Sequence, residues 1–216
     1  SRGSPFGGPG KPRIRFRMSE DDESELIRGA MRGDRAAMDL LARNYLSHVS
    51  KFAILMGVKE PDELAQETVT EMMKSLGSFQ GRAKFASWVM SIAVNMCRKW
   101  RREHRRRSLG ASRETARRAI DPRNPSRSVL STVVHRENLE KILGAFDCLP
   151  SAFREAFILK SVEGLDYREI GEATGTSEAT ARVRVHRAKM MLQCELGPGF
   201  ATLMEQTAKP EKDAGS

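Results

Sequence analysis

The stretch from Asp166 to Gln193, DYREIGEATGTSEATARVRVHRAKMMLQ, leaves the chain few choices of local structure. Asp166 followed three residues later by Glu169 has the spacing of a capping box, in which each side chain satisfies a backbone N–H that the helix start leaves open. The spacing predicts a short helix with Ile170 facing inward, ended by Gly175. Thr176 or Ser177 caps the next helix. Glu178 lies in its first turn, where the positive end of the helix dipole favours a carboxylate. From there Ala181, Val185, Ala188 and Leu192 recur at helical spacing as a buried stripe, which leaves Arg182, Arg184, Arg187 and Lys189 on or beside the exposed face. A helix, a glycine turn and a basic second helix make a helix-turn-helix. Such a pair sets its second helix into the major groove, with N-terminal residues at base edges and flanking cations on phosphates. A solvated cationic face over a core stripe gives the same local pattern, so the rest of the chain decides between them.

The composition extends the helical reading to the whole chain. Of 216 residues 39% are hydrophobic and only 6% aromatic, and Gly and Pro fall mostly at the ends and between apolar runs, which favours an all-α fold. A net charge of +9 and a pI near 9.8 imply a polyanionic partner. With no apolar run of about 18 residues and no charged-then-apolar leader, no membrane insertion is expected, and the cytoplasm is the expected location. Cys97, Cys148 and Cys194 are odd in number, widely spaced and without a CxxC, so they read as small buried apolar residues, with a redox role for Cys97 or Cys148 as the alternative. His48, His104, His135 and His186 are scattered without zinc-site spacing, and no metal is assigned. No nucleophile–base pair, carboxylate dyad or phosphate-cradling glycine loop stands out, so neither enzyme activity, nor a cofactor, nor a small-molecule substrate is expected.

Along the chain, residues 1–21 read as a disordered leader, rich in Gly, Pro and Arg, with Met18 as the natural start and a basic arm on nucleic acid as the functional alternative. A helical domain is expected over 22–102. Leu26, Ile27, Ala30 and Met31 outline a first helix, Gly33 and Asp34 break and recap it, and Met38, Leu41, Tyr45, Val49, Phe52 and Met56 mark a long helix ending at Gly57. After Pro61, Ala65, Val69, Met72 and Leu76 share one helical face. Glu63, Gln66, Glu67, Thr70 and Glu71 share the opposite one, an acidic patch that would repel phosphate and therefore suits a protein partner. GSFQGRAKF follows as a Gly-bounded loop whose Gln80, Arg82 and Lys84 suit an unpaired base and its phosphates. Phe85 and Trp88, continued by Ile92, read as a core stripe rather than a base-stacking platform. Asn95 lies on the same helix, and Arg98, Lys99, Arg101 and Arg102 are phosphate candidates. A basic linker is expected over 103–134, a second helical domain over 135–196 and a disordered tail over 197–216.

Two blocks in the right order carry a resemblance. LPSAFREAFILKSVEGLDYREIGEATGTSEATARVRVHRAKMML resembles region 4 of the sigma-70 family, in the form of its extracytoplasmic-function group, through Leu149, Pro150, Arg154, Glu155, Gly164, Glu169, Ile170, Gly175, Thr180, Arg187 and Ala188. ELAQETVTEMMKSLGSFQGRAKFASWVMSIAVNMCRKWRR resembles regions 2.2 to 2.4, through Glu63, Gln66, Glu67, Phe79, Gly81, Phe85, Trp88, Ile92, Ala93 and Asn95. The resemblance implies two small helical domains on a flexible linker, in a promoter-specificity factor that binds core RNA polymerase and recognises −35 and −10 promoter elements. It implies that the Glu63, Gln66, Glu67, Thr70 and Glu71 face docks on the clamp helices of the largest polymerase subunit, and that the Gln80 to Lys84 loop captures a base of the melted −10 element. It places Ser177, Glu178, Thr180, Arg182, Val183, Arg184, His186 and Arg187 at the −35 element, and it implies an anti-sigma protein as a partner. Val183 and Gly171 depart from the pattern, the first standing where a small polar residue is common and the second where Ala is usual. A polymerase-independent repressor would need a dimer interface, for which no heptad run is present, and a nonspecific compactor would have no use for the acidic face.

Overall fold

The computed structural model describes residues 20–108 and 136–197. Among them the chain forms eight α-helices and no strand: α1 (Glu20–Met31), α2 (Arg35–Leu55), α3 (Pro61–Ser75), α4 (Phe85–Ser108), α5 (Arg136–Asp147), α6 (Ser151–Ser161), α7 (Tyr167–Thr174) and α8 (Glu178–Leu196). Residues 1–19 of the expected leader, most of the expected linker and the expected tail after residue 197 lie outside the described residues, and the leader's expected end needs correction because Glu20 and Asp21 belong to α1. The linker's expected start needs correction, because α4 continues through Glu103 to Ser108. Loss of apolar period there does not end the helix, since Glu and Arg are good helix formers. Trp100 and His104, one turn apart, stack at 3.7 Å between centroids on this extension.

Local chemistry sets the boundaries. Asp34 Oδ1 accepts hydrogen bonds from the backbone N–H of Ala36 and Ala37 and starts α2. Pro61 opens α3 at a position whose N–H has no helical partner to lose. The capping box forms as the spacing predicts, with Asp166 Oδ1 accepting from Glu169 N at 2.8 Å and Glu169 Oε2 accepting from Asp166 N at 2.7 Å. Gly175 ends α7 at φ +70°, a conformation that side chains other than glycine rarely adopt. Ser177 is the cap of α8, accepting from Thr180 N at 3.2 Å.

Helices α1, α3 and α4 pack around α2, and α5, α6 and α7 pack on α8. Tyr45, fully buried in α2, packs edge-on against Phe85 and donates from its hydroxyl to Glu23 in α1 at 2.7 Å. The expected faces hold: Ala65, Val69, Met72 and Leu76 are buried, as are Ala181, Val185, Ala188 and Leu192. Phe85 is buried and Trp88 half-buried against Phe79, so both belong to the core as the stripe predicted.

The two helical halves do not stand apart. Helix α7 packs on α4, and buried residues of both halves join one continuous hydrophobic core. Polar groups stitch the same boundary: Arg154 of α6 donates from Nε to the Leu55 carbonyl at the C-terminal end of α2, and His48 of α2 meets Glu163 at 3.0 Å.

Candidate nucleic-acid interface

Helix α4 sorts its side chains by the turn. Phe85, Ala86, Val89, Met90, Ala93, Val94 and Cys97 form a buried stripe, and Asn95, Lys99 and Arg102 form an exposed one at helical spacing. That second stripe leads from the loop where Gln80 and Arg82 are also exposed. Gly81 sits at φ +68° with open space around it, so the loop turns sharply and leaves its backbone accessible. The arrangement offers amide and cationic groups along one continuous path, suited to a sugar–phosphate strand.

Arg98 and Arg101 are corrections to that set, whereas Lys84 stays exposed with one ion pair. Lys84 Nζ lies 3.1 Å from Glu169 of α7. Arg98 Nη2 donates to Glu155 of α6 at 2.7 Å and to the Thr174 carbonyl at 3.2 Å, while its Nε reaches the other Glu155 oxygen at 3.3 Å. Arg101 is half-buried, with one guanidinium nitrogen fully enclosed. Spacing alone assigns Arg98 to solvent because Glu155, the carboxylate that takes it up, lies 57 residues further along the chain.

On α8 the exposed face carries Glu178, Arg182, Val183, His186 and Arg187, with Thr180 and Arg184 half-buried at its edges. Ser177 is exposed but committed to the cap, and its hydroxyl also lies 2.9 Å from that of Thr180. Arg182 is oriented rather than loose. Its Nη2 donates to Glu178 at 2.8 Å, and its guanidinium lies 4.8 Å over the ring of Tyr167, whose centroid also takes Lys160 Nζ at 4.7 Å. Tyr167 was invisible as a site residue in the sequence, since nothing local places it under a side chain of the next helix. Val183 is 49% exposed, so an apolar group is presented on the exposed face of α8.

The acidic face of α3 is intact. Glu63, Gln66, Glu67, Thr70 and Glu71 are all exposed, on the side opposite the buried stripe. Thr70 donates back to the Gln66 backbone carbonyl at 2.8 Å, which leaves the carboxylates and the Gln66 side-chain amide as the groups available to a partner.

Buried ionisable groups mark the boundary between halves. Glu155, Glu163 and Glu169 have side chains no more than 3% exposed, and Arg154 is 4% exposed. Burial lowers the pKa of Arg154, against which Asp147 acts through a 2.8 Å hydrogen bond and its charge. Cys97 is buried as expected, and burial with the nearby Glu155 charge pushes its thiol up to about 12, so it is no nucleophile at neutral pH. Cys148 differs from expectation: it is exposed at the end of α5. Among the described residues no group of three or more His, Cys, Asp or Glu side chains could hold a metal ion, and no helix is long and apolar enough to cross a membrane.

Comparison with known proteins matches both halves. The family model for Sigma-70 region 2 matches residues 41–107 and that for Sigma-70, region 4 matches residues 139–192, together more than half of the chain. The chain is 33% identical over 169 residues to the ECF RNA polymerase sigma factor SigE of Mycolicibacterium smegmatis, covering 74% of this chain and 63% of that protein. It is 34% identical over 140 residues to RNA polymerase sigma factor CarQ of Myxococcus xanthus, covering 63% of this chain and 74% of CarQ. Among solved structures, sigma factor RpoE of Bartonella quintana in complex with the anti-sigma factor NepR has the same fold, with a TM-score of 0.58 at 22% identity over 83% of this chain and 99% of that one.

Proposed function

From a chain that belongs to the extracytoplasmic-function group of the sigma-70 family, and so directs promoter-specific transcription initiation, we infer a division of labour among three surfaces. The exposed Glu63, Gln66, Glu67, Thr70 and Glu71 face of α3 docks on the clamp helices of the largest core-polymerase subunit. The Gln80 and Arg82 loop takes a base of the melted −10 strand, and Asn95, Lys99 and Arg102 follow its backbone. Helix α8 enters the major groove of the −35 element with Arg182 and Val183 toward base edges and Arg187 toward phosphate. The factor contributes recognition, and the polymerase contributes the chemistry. An anti-sigma protein belongs to this reading as its regulator, on the analogy of the RpoE and NepR pair.

The observation that carries the reading is the opposition of charge on one molecule. An exposed acidic face on α3 would repel DNA, and exposed cations on α4 and α8 attract it, so the chain addresses a protein and a nucleic acid at once. The test is affinity for bacterial core polymerase. Glu67→Lys reverses charge at an exposed position without touching the core, so it is expected to weaken core binding about tenfold or more while leaving helical content unchanged. Undiminished affinity of the folded variant would remove this face from the interface, and a wild-type factor that fails to bind core polymerase would remove the reading.

A further inference from the structure

We propose that Tyr167 is a positioning residue for −35 recognition: its ring, together with the Glu178 carboxylate, holds the Arg182 guanidinium in an orientation that reads a base. The proposal rests on the functional reading above and names what gives its α8 contact a sequence preference. Arg182 Cζ lies 4.8 Å from the Tyr167 ring centroid, and Arg182 Nη2 donates to Glu178 Oε1 at 2.8 Å. The two contacts restrain different freedoms. The ring limits where the guanidinium can lie, and the carboxylate limits how it can turn. The Arg182 side chain nevertheless stays 62% exposed, so its other N–H donors remain available to the paired acceptors O6 and N7 of a guanine.

The platform is itself anchored. Tyr167 is the first residue of α7, directly after the Asp166 cap, so the capping box fixes its backbone. Its ring is half-buried against the hydrophobic core, and Lys160 Nζ lies 4.7 Å from its centroid while donating to the Leu165 carbonyl at 2.8 Å. Glu178, by contrast, is exposed on the same helix as Arg182, and an exposed pair of this spacing holds weakly on its own. The ring therefore carries the greater share of the restraint. A restrained arginine discriminates where a free one does not. Facing the wrong base pair, an unrestrained Arg182 swings to a neighbouring phosphate and keeps its contribution to affinity. Held by Tyr167 and Glu178 it loses its partner instead, so the wrong sequence is penalised. Restraint before binding also removes part of the ordering cost on the right sequence.

In the experiment the parent, as the full chain, selects its preferred −35 duplex from a randomised pool, and each variant is titrated against that duplex and a scrambled one of equal composition. Tyr167→Leu keeps apolar bulk at the edge of the core and removes the aromatic face. It is expected to bind the selected duplex about tenfold more weakly and the scrambled duplex as the parent does. Tyr167→Phe keeps the ring and is expected to keep the parent's ratio between the two. Added to Arg182→Ala, Tyr167→Leu is expected to cause no further loss, because the group it positions is gone. Glu178→Ala removes the other restraint at an exposed position and is expected to lower the ratio about threefold, which keeps a test in hand if Tyr167→Leu fails to fold. Equal loss on both duplexes for Tyr167→Leu would make Tyr167 a structural residue of the helix pair and overturn this inference. So would an unchanged ratio in folded Tyr167→Leu, or in Glu178→Ala should Tyr167→Leu not fold. Loss in Tyr167→Phe equal to that in Tyr167→Leu would overturn it too, by putting the hydroxyl on DNA directly. In each of these cases a relaxed preference in Arg182→Ala leaves the functional reading standing. An Arg182→Ala protein with the parent's preference would strike the reading of α8 itself, and this inference with it.

Discussion

A methyl group built on Gly171 would lie 2.8 Å from the Thr176 carbonyl oxygen and 3.2 Å from Glu178 N, backbone atoms of the turn that launches α8. The same turn is closed by Thr176 N donating to the Gly171 carbonyl at 2.8 Å. Gly171, which stands where the resemblance implies Ala, therefore lies where this turn passes too close for a side chain. Gly171→Ala is expected to destabilise the protein by about 1–3 kcal/mol through overpacking, read as a lower denaturant midpoint at unchanged slope. The sequence exposed the departure but gave no reason for it, since the obstructing atoms are placed by the tertiary course of the turn. Cys97 and Cys148 make the same point with opposite outcomes: two thiols in similar helical company, one enclosed at the boundary between halves and one in solvent.

At the scale of the element, α8 was the most legible part of the chain. Its cap, acidic first turn and four-residue apolar stripe are all local signals, and each appears where the spacing puts it. What the spacing could not give is the orientation of Arg182, held between Glu178 on its own helix and Tyr167 on the preceding one. Arg182→Ala is expected to cost about 1–3 kcal/mol on the preferred −35 duplex and to relax preference at that position. Arg187→Ala, one turn further on and exposed, is expected to weaken all duplex sequences alike and to lower the salt slope by about one unit. Titrations of each variant against matched and scrambled −35 duplexes at several salt concentrations separate the two. Equal loss on every sequence for Arg182→Ala would place that side chain on phosphate instead. Helix α4 was less legible, because its cationic turn was read as wholly DNA-facing when Arg98 is turned toward α6 and α7.

For the whole molecule, the shared core has a thermodynamic consequence. Two domains without contact would unfold in two steps, whereas these two, joined by one core and five polar contacts, are expected to unfold together. Both tryptophans, Trp88 and Trp100, lie in the N-terminal half, while far-ultraviolet circular dichroism reports helices of both halves. The expected result for the isolated factor is a fluorescence melting curve that coincides with the dichroism curve. A fluorescence transition separated from a second, dichroism-only transition would show that the halves are energetically independent.

What the sequence determined by itself is local and periodic: the all-helical class, the boundaries set by Asp34, Pro61, Asp166 and Gly175, the buried stripe of each helix, the exposed acidic face of α3 and the family resemblance. These follow from groups within a few residues of one another, whose hydrogen bonds and helical faces are fixed by backbone geometry. Tertiary structure decided which exposed-looking charges are spoken for. Arg98 with Glu155, Arg154 with Leu55 and His48 with Glu163 are separated by 57, 99 and 115 residues. No periodicity spans such distances, so only the packing of α7 on α4 could bring these partners together and turn two separately readable halves into one closed body.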